Sequence, residues 1–154
     1  MSLIKSVEVP EFPMSVHAYD NKIYLGLLGS CDLLRYDLGL SGREALLVGN
    51  SYVTSIQAYN DELYVWFALN DLINVYDMTG KLKRSWKHSC LSKAINKLRV
   101  VSDKVVVSSA QDQALTVYDL QGQLAKQIKC PDISKSGGYK AMAVCGDDSV
   151  IVSD

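Results

Sequence analysis

The stretch ALTVYDLQG, residues 114–122, decides how the chain is read. An apolar segment runs into Tyr118-Asp119, then Leu120, and then a turn at Gly122. The phrase returns as LINVYDMTG at residues 72–80 and, less regularly, as LLRYDLGLSG at residues 33–42. The tyrosines fall at 36, 76 and 118, so the spacings are 40 and 42. A fixed period of that size marks a stacked-repeat architecture, in which each unit buries its apolar faces against its neighbours.

Each copy reads as four short strands separated by turn residues. In the first they are 16–19, 23–28, 33–38 and 44–48, with Asp20-Asn21-Lys22 as the first hairpin turn and residues 39–42 as the last. In the second they are 55–59, 63–68, 72–78 and 82–87, with a turn at Asn60-Asp61-Glu62. In the third they are 97–101, 105–109, 114–120 and 124–129, with a turn at Ser102-Asp103-Lys104. A fourth copy begins at 140–144, turns at 146–148 and runs through 150–152. Residues 2–9 alternate, stop at Pro10 and align with the fourth strands, so they read as the outer strand of a closing or preceding unit. Residues 11–13 read as a linker, 91–101 as a linker entering a strand, and no helix is expected. The chain is one segment, 1–154, with repeats at about 15–49, 55–88, 97–129 and 140–154.

The second strand of each unit is apolar on both faces, as in Leu63-Tyr64-Val65-Trp66-Phe67 and Val105-Val106-Val107. Strands buried on both sides read this way, whereas half-exposed ones alternate. The fourth strands carry lysines, as in 82–87 and 124–129, which suits an outer rim and discourages edge pairing. The expected fold is therefore all-β, a β-propeller or partial propeller of four-stranded blades of roughly 40 residues.

An Asp in the turn before the third strand (Asp32, Asp71, Asp112) and a closing aromatic-Asp pair (Tyr36-Asp37, Tyr76-Asp77, Tyr118-Asp119) resemble the WD-repeat pattern, with Tyr where that family usually has Trp. The Gly-His pair that usually precedes the first strand is absent, so the resemblance carries over no histidine–aspartate network; NHL-type repeats are the related alternative. The resemblance implies a protein-interaction platform, usually without catalysis, working through its two loop faces and central channel.

Composition narrows the classes. The chain is 48% apolar with a net charge of −1, which argues against broad attraction to nucleic acid or to an acidic membrane. No apolar run approaches the ~20 residues that span a bilayer. The N-terminus has no signal-type apolar stretch, and the expected location is cytoplasmic. Cys31, Cys90, Cys130 and Cys145 form no C-x-x-C pair and read as reduced thiols without a metal or redox role. His17 and His88 are the only histidines, and nothing in the sequence brings either to a cysteine.

The basic run at 81–88 (KLKRSWKH) supplies the one candidate interaction patch: Lys83, Arg84, Trp86 and Lys87. Trp and Arg dominate binding hot spots, and this Trp stands on a wetter strand between polar neighbours. Trp66 reads as packing between blades. Asp37, Asp77 and Asp119 stand before turns, where a carboxylate accepts backbone N–H bonds. Asp147-Asp148 is too little for calcium, which takes six to eight oxygens. No phosphate loop or catalytic triad is legible, so no catalytic, metal or cofactor-binding residue is expected. The expected function is a non-catalytic scaffold for protein–protein interaction. The alternatives are a propeller accessory to an enzyme, one holding a small ligand in its channel, and an RNA-binding propeller. Propellers close with four to eight blades, so three arrangements are open. The chain is a segment of a longer propeller, a ring completed by self-association, or a four-bladed closure; the first two are preferred.

Overall fold

The computed structural model describes residues 6–9, 11–47, 51–88, 97–109, 113–129, 141–145 and 149–153. Three four-stranded antiparallel sheets follow one another, each a meander in sequence order. The first blade is β1 (Pro13–Tyr19), β2 (Lys22–Leu27), β3 (Leu33–Asp37) and β4 (Glu44–Leu47). The second is β5 (Val53–Tyr59), β6 (Glu62–Phe67), β7 (Leu72–Asp77) and β8 (Leu82–Lys87). The third is β9 (Lys97–Val101), β10 (Lys104–Ser109), β11 (Ala114–Asp119) and β12 (Leu124–Lys129). A further hairpin pairs β13 (Ala141–Cys145) with β14 (Ser149–Ser153). The first strands β1, β5, β9 and β13 neighbour one another in that order, so they face a common axis. The fourth strands lie at the rim, where every residue of β12 is exposed.

Identical local chemistry shapes each blade. The hairpin between first and second strands carries two successive residues of positive φ: Asp20 and Asn21 (46° and 56°), Asn60 and Asp61 (47° and 56°), Ser102 and Asp103 (45° and 59°). That is the type I′ turn, whose twist matches the strands it joins and which favours Asn and Asp. In the turn leaving the third strand, Leu40, Gly80 and Gly122 donate their N–H to the carbonyls of Asp37, Asp77 and Asp119. Their φ values are 55°, 87° and 86°. The first blade thus places a leucine where the other two have glycine, and Gly42, the apparent counterpart in the sequence phrase, stands two residues too late. Asp77 Oδ1 accepts from the N–H groups of Thr79 (2.9 Å) and Lys81 (3.0 Å), and Asp119 Oδ1 from those of Gln121 (2.9 Å) and Gln123 (2.8 Å). These aspartates therefore act as turn caps.

The elements differ from the sequence reading at the N-terminus. β1 starts at Pro13, inside the expected linker, and enters through a register shift between Pro13 and Ser15. Proline is tolerated there because the first position of a strand needs no ladder donor. Residues 6–9, expected to complete a strand, carry no strand pairing; Val9 instead packs on Leu25, Leu27, Leu34 and Tyr36. Glu62, read as a turn residue, opens β6. Residues 2–5, Asp112, Cys90, Cys130, the turn at 146–148 and most of the 91–101 linker lie outside the described residues.

The core lies between blades. One cluster joins the first and second blades through Tyr24, Leu33, Val53, Ile56, Val65 and Phe67. Another joins the second and third through Tyr64, Trp66, Ile73, Leu98, Val107 and Tyr118. Burying a side chain of this size stabilises by about 1.5–3 kcal/mol. Where β2 meets the next blade, Gly26 allows close approach: a Cβ there would stand 2.5 Å from Val53 Cγ1. The register gives that same position to Trp66 in the second blade and Ser108 in the third, so one slot holds three different volumes.

Side chains also tie the first strands together across the blade gaps. Ser15 Oγ accepts from Ile56 N (3.0 Å). Ser55 Oγ accepts from Leu98 N (3.0 Å) and donates to Leu98 O (3.3 Å). The Gln57 amide does the same for Val100, donating to its carbonyl (3.0 Å) and accepting from its N–H (2.9 Å). Backbone groups that no strand ladder reaches must find partners when buried, and these side chains supply them. At the turn end, Tyr19 and Tyr59 donate to Asp61 and Asp103 of the following blade (3.1 and 2.7 Å).

Candidate functional site

The structure does not gather Lys83, Arg84, Trp86 and Lys87 into one surface. They lie on β8, where successive residues point to opposite faces. Arg84 and Trp86 turn towards the third blade. The Arg84 guanidinium donates to Glu62 twice (2.6 and 3.0 Å), lies over the Tyr64 ring at 5.6 Å, and donates to Tyr64 OH (2.9 Å) and Leu120 O (2.7 Å). Lys83 also pairs with Glu62. Arg84, followed by Lys83 and Tyr64, holds the Glu62 carboxyl down at about 2. Burial pushes Tyr64 up to about 12. Trp86 is tilted against Tyr118 at 6.0 Å and fits over Gly122, where a Cβ would come within 2.5 Å of the indole. Lys87 is exposed. Arg84 and Trp86 thus reach the third blade, whereas Lys83 pairs within its own blade and Lys87 faces solvent.

His88, read as the end of that basic run, is buried at 1% exposure. Its Nδ1 lies 2.5 Å from Tyr118 OH and its ring meets Trp66 edge-on at 5.2 Å. It stands ahead of the third blade's first strand and contacts the aromatic of that blade's closing pair. Trp66 itself is fully buried between the second and third blades. Cys31 is a buried free thiol whose pKa is raised by burial, with Asp32 and Glu11 adding to it. Among the described residues no group of three His, Cys, Asp or Glu could hold a metal ion.

Two further features have a site's geometry. The outer face of the first blade carries an apolar groove of about 540 Å³, lined by Val7, Val16, Ile23, Leu25, Tyr36 and Leu40 among others. Near the axis a smaller, more polar cavity of about 230 Å³ is lined by residues of all four first strands, including Ser15, Ser55, Lys97, Arg99 and Met142. His17 lies close by: burial lowers its pKa and the Arg99 charge lowers it further. Sequence reading missed Lys97 and Arg99. The signal was present, because they occupy the positions that Ser15 and His17, then Ser55 and Gln57, hold in the other blades.

No protein-family model and no curated protein matches the chain. Solved structures do. The β-propeller domain of Cps50 (Swd1) from Myceliophteria thermophila superposes with a TM-score of 0.73 at 15% identity, over 96% of this chain and 54% of that one. Virginiamycin B lyase from Staphylococcus aureus gives 0.71 at 10% identity, over 92% and 48%. The WD40 β-propeller domain of Doa1 gives 0.67 at 18% identity, over 92% and 47%. The fold is that of a β-propeller, and the chain spans about half the length of each of these solved chains.

Proposed function

We propose that the chain is a non-catalytic, cytoplasmic propeller scaffold that binds protein through the uncovered face of its first blade. The observation that carries this is a contrast at one register position. Val16, Ile56 and Leu98 are equivalent residues of the three first strands, and they are 67%, 1% and 0% exposed. The first blade thus displays a surface that the next two bury, and exposed contiguous apolar faces of this kind mark interaction sites. The chemistry that fits is another blade-like sheet, and a second copy of the chain is the nearest source. Two carboxyls with lowered pKa values support a structural use: Glu62 is committed to Arg84, and Asp77 to Thr79 and Lys81. Fold alone does not decide the matter, since the same fold carries a lyase as well as a WD40 domain.

Light scattering during size exclusion tests the proposal, with Val16→Lys as the probe. Wild type is expected to run as a dimer of the 17.0 kDa chain or to hold a partner protein, and Val16→Lys to lose either. Wild type and variant with the same mass and the same bound proteins would end the reading.

A further inference from the structure

In each blade two residues of the first strand face the following blade. In the second they are Ser55 and Gln57, and both are used in bonding the backbone of Leu98 and Val100. In the third they are Lys97 and Arg99, and they border the axial cavity of about 230 Å³. No carboxylate among the described residues pairs with either one. Arg99 Nη1 donates to Leu98 O (2.9 Å), which leaves the rest of its fork available. Burial pushes both side chains down from their usual pKa values, and the Arg99 charge adds to the effect on Lys97. Two half-buried cations with no counter-charge among the described residues oppose folding. An arrangement with that cost is one that a bound anion offsets.

We propose that this axial cavity binds a phosphoryl group, as free phosphate or as a small phosphate monoester. Arg99 offers paired N–H groups to two oxygens, the geometry in which guanidinium recognises phosphate. Lys97 supplies a second charge, matching a dianion better than a single carboxylate. Ser15 supplies a neutral donor: its Oγ accepts from Ile56 N, and its own O–H remains to be given. Ser55 is already used in both directions and contributes only wall. Met14 and Met142 complete the wall. The cavity shares Met14, Ser15 and Val16 with the apolar groove, but its two cations come from the third blade, so phosphate binding is read separately from protein binding.

Thermal unfolding of the whole chain tests it, with phosphate, glycerol phosphate and chloride compared at equal ionic strength. Ligands that bind the native state raise Tm by mass action. The expected result is a saturable rise with phosphate and none with chloride. Lys97→Met and Arg99→Met are expected to raise Tm in phosphate-free buffer, because each removes an uncompensated charge, and to abolish the phosphate-dependent rise. Broadening of the phosphorus resonance of phosphate by wild-type protein, absent with Arg99→Met, reads contact directly. A lower saturating concentration for glycerol phosphate assigns the site to esters, and the reverse order assigns it to the free ion. No saturable rise in wild type, or an equal rise in both variants, would overturn the proposal.

Discussion

Glu62 takes three donors from two strands, namely Arg84 and Lys83 of β8 and Tyr64 of its own. Its carboxyl titrates near 2 in the folded chain, below its usual 4.5. A depressed carboxylate stabilises the fold above the unfolded pKa and loses that contribution as pH falls through the folded one. Stability is therefore expected to decline between about pH 4.5 and pH 2, and Glu62→Gln to flatten that decline in urea titrations at several pH values. Leu40 offers a second test. An L-residue in the left-handed region is strained by roughly 1–2 kcal/mol, and glycine returns part of that as lost chain freedom. Leu40→Gly is expected to stabilise by about 0.5–1 kcal/mol in equilibrium denaturation. At this scale the sequence was a partial guide. The capping by Asp77 and Asp119 was legible because turn chemistry is local, whereas Asp37, read the same way, pairs with Lys22. The fate of Trp86 and Arg84 was not, because composition marks a basic run while the pleat and the neighbouring blade decide which of its members meet solvent.

The elements were legible wherever period and turn residues coincided. Asn and Asp at positions 20–21 and 60–61 announced hairpin turns, which the structure resolves as type I′, and the doubly apolar second strands announced burial on both sides. The start of β1 was not, since Pro13 reads as a linker until the bulge beside it is seen. Nor was the role of residues 6–9, whose alternation mimics a strand while Val9 serves as packing. Between elements the informative bonds are those of Ser55. Ser55→Ala would leave the buried N–H and C=O of Leu98 without that partner and is expected to cost about 1–3 kcal/mol. Urea denaturation of Ser55→Ala beside Ser85→Ala, an exposed rim position, checks it; equal midpoints would contradict the assignment.

At the scale of the whole molecule, three blades present three different channel edges on one repeated frame. Serine with histidine, serine with glutamine, and lysine with arginine occupy the same two places. That variation becomes visible only when the repeats are aligned by strand register. The repeat announced the scaffold and hid the positions where it departs from itself. The side-chain bonds between first strands have a consequence for how the chain folds. They join residues 41–44 apart, whereas each hairpin closes through a two-residue turn. Short loops close at little entropic cost, so each meander is able to form before docking on its neighbour. A bond made at docking is absent from the rate-limiting state for forming a blade. Ser55→Ala should then leave the refolding limb of a chevron almost unmoved and speed unfolding by about 5- to 160-fold. Slower refolding by the same factor would mean that neighbouring blades assemble together rather than one by one.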